Sequence, residues 1–203
     1  MMKKFKFTRQ FDQMDCGPAC IRMVAAHYGK DYPLSYLRSL SHLTREGVSV
    51  AGIREALREI GVESVTFEMT LEQLREVCPL PAILHWEQNH FVVLYGVGKG
   101  RFSGKWKYKV ANPAFGKSAL SEDTFTHAWL NGDKGIVIAV EPQDAFYQKE
   151  PIPSRMAEAI QDGMQQTDSN YRLQSFSYSI QNKALTVQVT ADGGEAAALT
   201  ANI

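Results

Sequence analysis

The sequence predicts an α+β protein, with helices first and an antiparallel sheet second. Three observations carry that expectation. Ile53, Ala56, Leu57 and Ile60 recur at i, i+3, i+4 and i+7, the spacing of one apolar helix face. Farther along, Pro81–Trp86, Phe91–Val97 and Trp106–Ala111 are short runs rich in β-branched and aromatic residues, as strands are. The two kinds of segment come in blocks, which is the α+β pattern. A length of 203 residues suits one domain of ordinary size with a small appendage.

Taken in order, Phe5–Phe11 reads as a strand or extended arm. A helix starts near Cys16, carries Ile21, Val24 and Ala25, and ends at Gly29. A short helix, Leu34–Leu40, follows Pro33. Ser49–Ile60 is the next helix, stopped by Gly61. Val62–Phe67 reads as a strand, and Leu71–Val77 as a helix with Thr70 as N-cap and Gln73 as its third residue, a capping box. The three apolar strands come next, then a helix at Ser121–Trp129 capped by Ser121, and a last strand at Gly135–Val140. Two prolines at Pro151 and Pro153 interrupt any regular element, and the chain beyond is polar and rich in Gln, Ser, Thr and Ala. This places a domain at 1–148 and a polar tail or linker at 149–203, within which Leu185–Val189 alternates as a strand would.

The 22 Lys and Arg balance 22 Asp and Glu. Net charge therefore supplies no argument for wrapping nucleic acid or lying on an anionic bilayer. The longest apolar runs fall far short of the ~20 residues that span a membrane, and the basic start lacks the apolar stretch of a secretory signal. Three cysteines are too few for a disulfide framework. The expectation is a soluble, intracellular, thiol-containing protein.

The chemistry concentrates at Asp15-Cys16-Gly17-Pro18-Ala19-Cys20. Proline is favoured in the first turn of a helix, so Cys16 stands at a helix N-terminus, where unpaired N–H groups and the macrodipole favour thiolate. By itself such a cysteine is either that nucleophile or an inert buried thiol. His90 opens the strand His90-Phe91-Val92-Val93-Leu94, where its ring lies at the sheet's end. Asn112 ends the strand before Pro113, where its amide can accept from Nδ1–H of His90 and fix the tautomer; alone, each reads first as structural, a satisfied strand histidine and a turn asparagine. Cys20, Cys78 and the tryptophans Trp86, Trp106 and Trp129 read as packing, Asp15 as a helix cap, His27 and His42 as surface or capping residues, and His85 as structural.

Gln10, six residues before Cys16, then Asp15-Cys16-Gly17-Pro18-Ala19-Cys20, Asn89-His90-Phe91 and Asn112-Pro113-Ala114 together resemble the bacteriocin-processing, double-glycine leader peptidases at the N-terminus of peptidase-containing ABC transporters. The likeness covers about residues 5–142. It implies a papain-like cysteine peptidase fold, an N-terminal helical half packed on a C-terminal antiparallel β-sheet half. It implies Cys16 as nucleophile, His90 as general base, Gln10 as oxyanion donor and Asn112 where the family usually has aspartate. No cofactor and no metal are implied.

The implied substrate is a precursor peptide with a Gly-Gly leader. The implied partners are the membrane and ATPase parts of an ABC exporter, and no nucleic acid. The implied place is the cytoplasm, at the face of the bacterial inner membrane where an exporter is attached. No ATPase motif follows, so the chain reads as a stand-alone peptidase, an excised domain or an exporter remnant. The rival reading is a non-catalytic module that docks cargo peptides to an exporter. In the tail, Gly193-Gly194 reads as a turn, with a tethered cleavage site as the alternative.

Overall fold

The computed structural model describes residues 4–41, 47–101 and 103–148, together with the backbone of 176–181, 184–190 and 196–202. The chain divides into two compact units, Met1–Ile152 and Pro153–Ile203. In the first, a 3-10 turn (Gln13–Asp15) runs into α1 (Cys16–His27), followed by α2 (Leu34–Leu40) and α3 (Val50–Glu59). Then come β1 (Val62–Met69), α4 (Leu71–Val77), β2 (Ala82–Trp86), β3 (His90–Lys99), β4 (Trp106–Asn112), β5 (Gly116–Ser121), α5 (Glu122–Trp129), β6 (Gly135–Pro142) and α6 (Asp144–Gln148). The six strands form one sheet of order β1-β6-β2-β3-β4-β5, antiparallel throughout.

The local signals explain the boundaries. Ser49 caps α3 by accepting from the Gly52 N–H, and Thr70 with Gln73 forms the expected capping box on α4. Ser121 caps α5 the same way. The apolar runs are continuous because the sheet is covered on both faces. Along β3, Phe91 and Val93 point to a core shared with Ile21 and Val24 of α1 and Ile53 and Leu57 of α3. Val92 and Leu94 point to a second core with Leu74 of α4 and Phe125 and Trp129 of α5.

Phe5–Phe11 is an arm without regular structure, and β5, α6 and the 3-10 turn were not anticipated. β5 is an edge strand of Lys117, Ser118 and Ala119 with solvent on it, so neither period nor apolarity marks it. Trp86 and Trp129 lie in the second core, and Trp106 is half-buried beneath the Arg75 guanidinium. Cys20 is fully buried in α1, whereas Cys78 is half-exposed rather than buried. No helix among the described residues is long and apolar enough to cross a membrane.

The second unit contains a meander of β7 (Phe176–Gln181), β8 (Ala184–Thr190) and β9 (Ala196–Asn202). The alternating Leu185–Val189 falls inside β8. Gly193-Gly194 and His42 lie outside the described residues.

Candidate active site

Cys16 is the first residue of α1 and is buried, 5% exposed. Gly17 follows for a steric reason: a methyl group there would overlap Val48 and Ile53, so α1 could not press onto α3. Because α1 packs on β3, the thiol reaches the start of that strand, where the Phe91 backbone N–H acts on it. His90 is the residue before, the first of β3. The turn ahead of His90 is tightly specified, since Glu87 and Gln88 both take left-handed backbone, φ 48° and 63°. Non-glycine residues held there cost of order 1 kcal/mol each, a cost met with at functional sites.

His90 Nε2 lies 2.9 Å from Asn112 Oδ1. The same oxygen accepts the Ala114 backbone N–H at 3.0 Å. A backbone N–H can only donate, so this atom is the amide oxygen and the imidazole must donate to it through Nε2–H. In the neutral ring Nδ1 then carries the lone pair. This corrects the expected Nδ1–H contact: the histidine–asparagine link exists, through the other ring nitrogen. The nitrogen left to take a proton is Nδ1.

Gln10 is tied to the Asn112 loop, its backbone N–H donating to the Pro113 carbonyl at 3.1 Å. Its side-chain Oε1 is buried and finds no donor among the described residues. An orphaned buried amide oxygen typically costs about 1–3 kcal/mol.

Contrary to the expectation of a helix cap, Asp15 does not cap α1 through its side chain. It is fully buried and receives the Arg38 guanidinium of α2 as a fork, Nε to Oδ1 at 2.6 Å and a second nitrogen to Oδ2. It also accepts the Asp12 N–H at 3.0 Å. Burial by itself raises the Asp15 pKa. Arg38 and the Asp12 and Phe11 N–H groups outweigh it and hold the carboxyl below the usual range. One carboxylate thus gathers the N–H groups of Phe11 and Asp12 into one loop ahead of Cys16. The Asp15 end of this hub was visible in the sequence; nothing singled out Arg38.

The helix start does not lower the Cys16 thiol in this state. Burial pushes its pKa up, and the nearby Asp15 charge adds to the rise, against the pull of the Phe91, Gly17 and Cys16 N–H groups. The macrodipole is worth a fraction of a kcal/mol in ordinary settings, so desolvation of a buried sulfur wins. Burial raises Cys78 to about 11. His27 ends α1 exposed against Phe5 and Tyr28, and His85 packs on Phe91 with its pKa lowered by burial.

The profile of the Peptidase C39 family matches residues 4–145. The chain belongs to this family. It is therefore a cysteine peptidase domain by descent, with the mixed α+β architecture of papain-like C39 domains. The colicin V secretion/processing ATP-binding protein CvaB of Escherichia coli is 32% identical over 148 residues, 73% of this chain and 20% of that protein. The lactococcin-G-processing and transport ATP-binding protein LagD of Lactococcus lactis is 32% identical over 150 residues, 71% of this chain and 20% of that protein. The chain thus spans about a fifth of the length of these relatives. Among solved structures, a double-glycine-motif protease from an AMS/PCAT transporter, crystallised with its leader peptide, aligns with TM-score 0.62 and 29% identity over 69% of this chain and 93% of that one. The peptidase domain of Streptococcus ComA aligns with TM-score 0.60 and 27% identity over 68% of this chain and 99% of that one.

Proposed function

We propose that this C39 domain cleaves precursor peptides after a double-glycine motif, with Cys16, His90, Asn112 and Gln10 as its working residues. The observation that carries the reading is the fixed tautomer. The Ala114 N–H orients the Asn112 amide, which takes Nε2–H of His90 and leaves Nδ1 as the ring nitrogen able to accept a proton. Because burial keeps the resting thiol protonated, His90 Nδ1 accepts the Cys16 proton as sulfur attacks the carbonyl carbon. The oxyanion that forms is met by the Cys16 backbone N–H and the Gln10 side-chain amide. His90 then protonates the leaving amine and activates the water that releases the acyl group. Glycines at the cleavage site suit a buried nucleophile, since only a backbone without side chains comes that close.

The leader-bound neighbour and the secretion/processing relatives support a Gly-Gly leader as substrate and an ABC exporter as partner, at the cytoplasmic face of the membrane. The test is a panel of leader peptides incubated with the protein, with the cleaved bond read by mass spectrometry. Cleavage after the second glycine is expected; cleavage elsewhere, or none, defeats the reading.

The raised Cys16 thiol favours a second reading, a quiescent peptide-docking module. Alkylation separates the two. With His90 acting as base, iodoacetamide should label Cys16 faster than Cys78 at neutral pH; equal or slower labelling favours docking.

Gln10→Ala should lower kcat by roughly 10²–10³ with little change in KM, the cost of one oxyanion donor. An effect on KM alone assigns Gln10 to substrate binding. Asn112→Asp keeps an acceptor for Nε2–H and adds a charge that favours imidazolium, so kcat/KM should be retained or raised. A fall of several orders of magnitude would remove Asn112 from the site.

The peptidase unit is proposed to work without the rest of the chain. Deleting 151–203 should leave kcat/KM within a few-fold, because no proposed site residue lies there. Collapse of activity or of the thermal transition would move the boundary.

A further inference from the structure

Zero net charge conceals a segregated surface. Between Met1 and Phe11, and again between Phe91 and Ser121, every charged residue is Lys or Arg. From Asp12 to His90 carboxylates outnumber cations, and from Glu122 to Gln148 Lys134 is the only Lys or Arg. The fold assembles the two basic segments. Phe5 stacks on Tyr95 of β3 with ring centroids 4.4 Å apart, and Lys117 Nζ donates to the Phe5 carbonyl at 3.2 Å. At its other end the arm is held by the Gln10–Pro113 hydrogen bond. It therefore crosses the β3–β5 part of the sheet.

Strand alternation puts the cations on one face. Tyr108 and Val110 belong to the second core, so Lys107 and Lys109 project from the opposite side. Ala111 shares that side and pairs with Lys117, which brings Lys117 there as well. The paired positions of β3 are Gly98 and Gly96, which raise no side chain above the lysines. Lys4, Lys6 and Arg9 of the arm are exposed too, and none of the six is ion-paired with another described residue. At the rim, Phe11 is 83% and Phe115 is 90% exposed, on the two segments that the Gln10–Pro113 bond joins.

We infer that this face docks on a bilayer carrying anionic lipids, its lysines against headgroup phosphates and Phe11 and Phe115 in the acyl boundary. The charges are spread in two dimensions over an arm and two strands, as a flat anionic surface requires. Most are lysines, point charges suited to diffuse attraction; planar, bidentate recognition of a single carboxylate or phosphate favours arginine. Protruding phenylalanines beside them add apolar anchorage, which an acidic peptide or a nucleic acid backbone would not use.

The full chain should be sedimented with vesicles of phosphatidylcholine alone and of phosphatidylcholine with phosphatidylglycerol in equal parts. Binding only to the mixed vesicles, weakening as salt is raised, is expected. Lys107→Gln, Lys109→Gln and Lys117→Gln together should weaken it roughly a hundredfold, at about tenfold or less per cation. Lys134→Gln, outside the face, should leave it unchanged. Thermal transitions and leader cleavage without vesicles report whether each variant is folded. Should the triple variant fold poorly, Phe11→Ser with Phe115→Ser replaces it, since both rings stand in solvent, and a several-fold loss is expected. Equal binding to both vesicle types, or undiminished binding by the folded variants, overturns the inference. So does tighter lysine-dependent binding of a Glu-rich peptide or an oligonucleotide than of the vesicles. Vesicle binding does not require turnover, so its failure and a failure of leader cleavage are separate results.

Discussion

The Cys16→Ala protein is expected to keep its fold and to cleave no leader peptide at all. Sulfur is the only buried nucleophile at the start of α1, and alanine removes one atom from a site already packed against β3. His90→Ala should be as severe, because burial raises the thiol and His90 is the base proposed to take its proton. Residues acting as one unit show grossly non-additive losses, so the double variant should be no worse than either single one. Turnover measured beside circular dichroism checks this. A folded Cys16→Ala protein that still cleaves removes the nucleophile, and a double variant far slower than both singles separates the two residues.

Much of this site was legible because its signals are local. Gly17-Pro18 after Cys16 announces a helix start, and Thr70 with Gln73 announces a capping box, since both are set by backbone groups within one turn. The association of His90 with Asn112 was legible at the level of strand ends, but which ring nitrogen is engaged depends on the third partner, Ala114 N–H, and on ring orientation. Neither leaves a mark in composition or period. The thiol's direction departs from the helix-start expectation for a related reason. Helix position is a sequence property, whereas burial of Cys16 under β3 is a property of tertiary packing, and packing dominates. β5 escaped because an exposed edge strand needs no apolar face. The charge segregation was present in the order of residues but invisible in their sum, and became a surface only when the arm folded back over β4 and β5.

Arg38→Ala should be among the most destabilising substitutions outside the cores, and its pH dependence should be inverted. Asp15 is fully buried, while the Arg38 side chain is 35% exposed. Breaking a buried pair from one side typically costs about 3–5 kcal/mol; water reaching the Arg38 side of the pair puts the expected loss at about 3 or below. In the parent the Asp15 pKa is lowered, so the folded state holds fewer protons than the unfolded one. Its contribution is fully present above the unfolded value of about 4 and is lost as pH falls through the folded value. Without Arg38, burial is opposed only by the Asp12 and Phe11 N–H groups, and the Asp15 pKa is expected to rise. The variant should then be least stable at neutral pH and recover relative to the parent as the medium is acidified, because protonation relieves a buried unpaired charge. Arg38→Lys restores charge without the fork and should lie between the two. Because Asp15 also holds the N–H groups of Phe11 and Asp12, loss of the clamp should loosen the loop that carries Gln10, lowering kcat more than it raises KM. Chemical denaturation from pH 4 to 8, run beside turnover, reads both effects. A variant whose stability deficit is the same at every pH would show that Arg38 packs on the helix pair without holding the Asp15 charge.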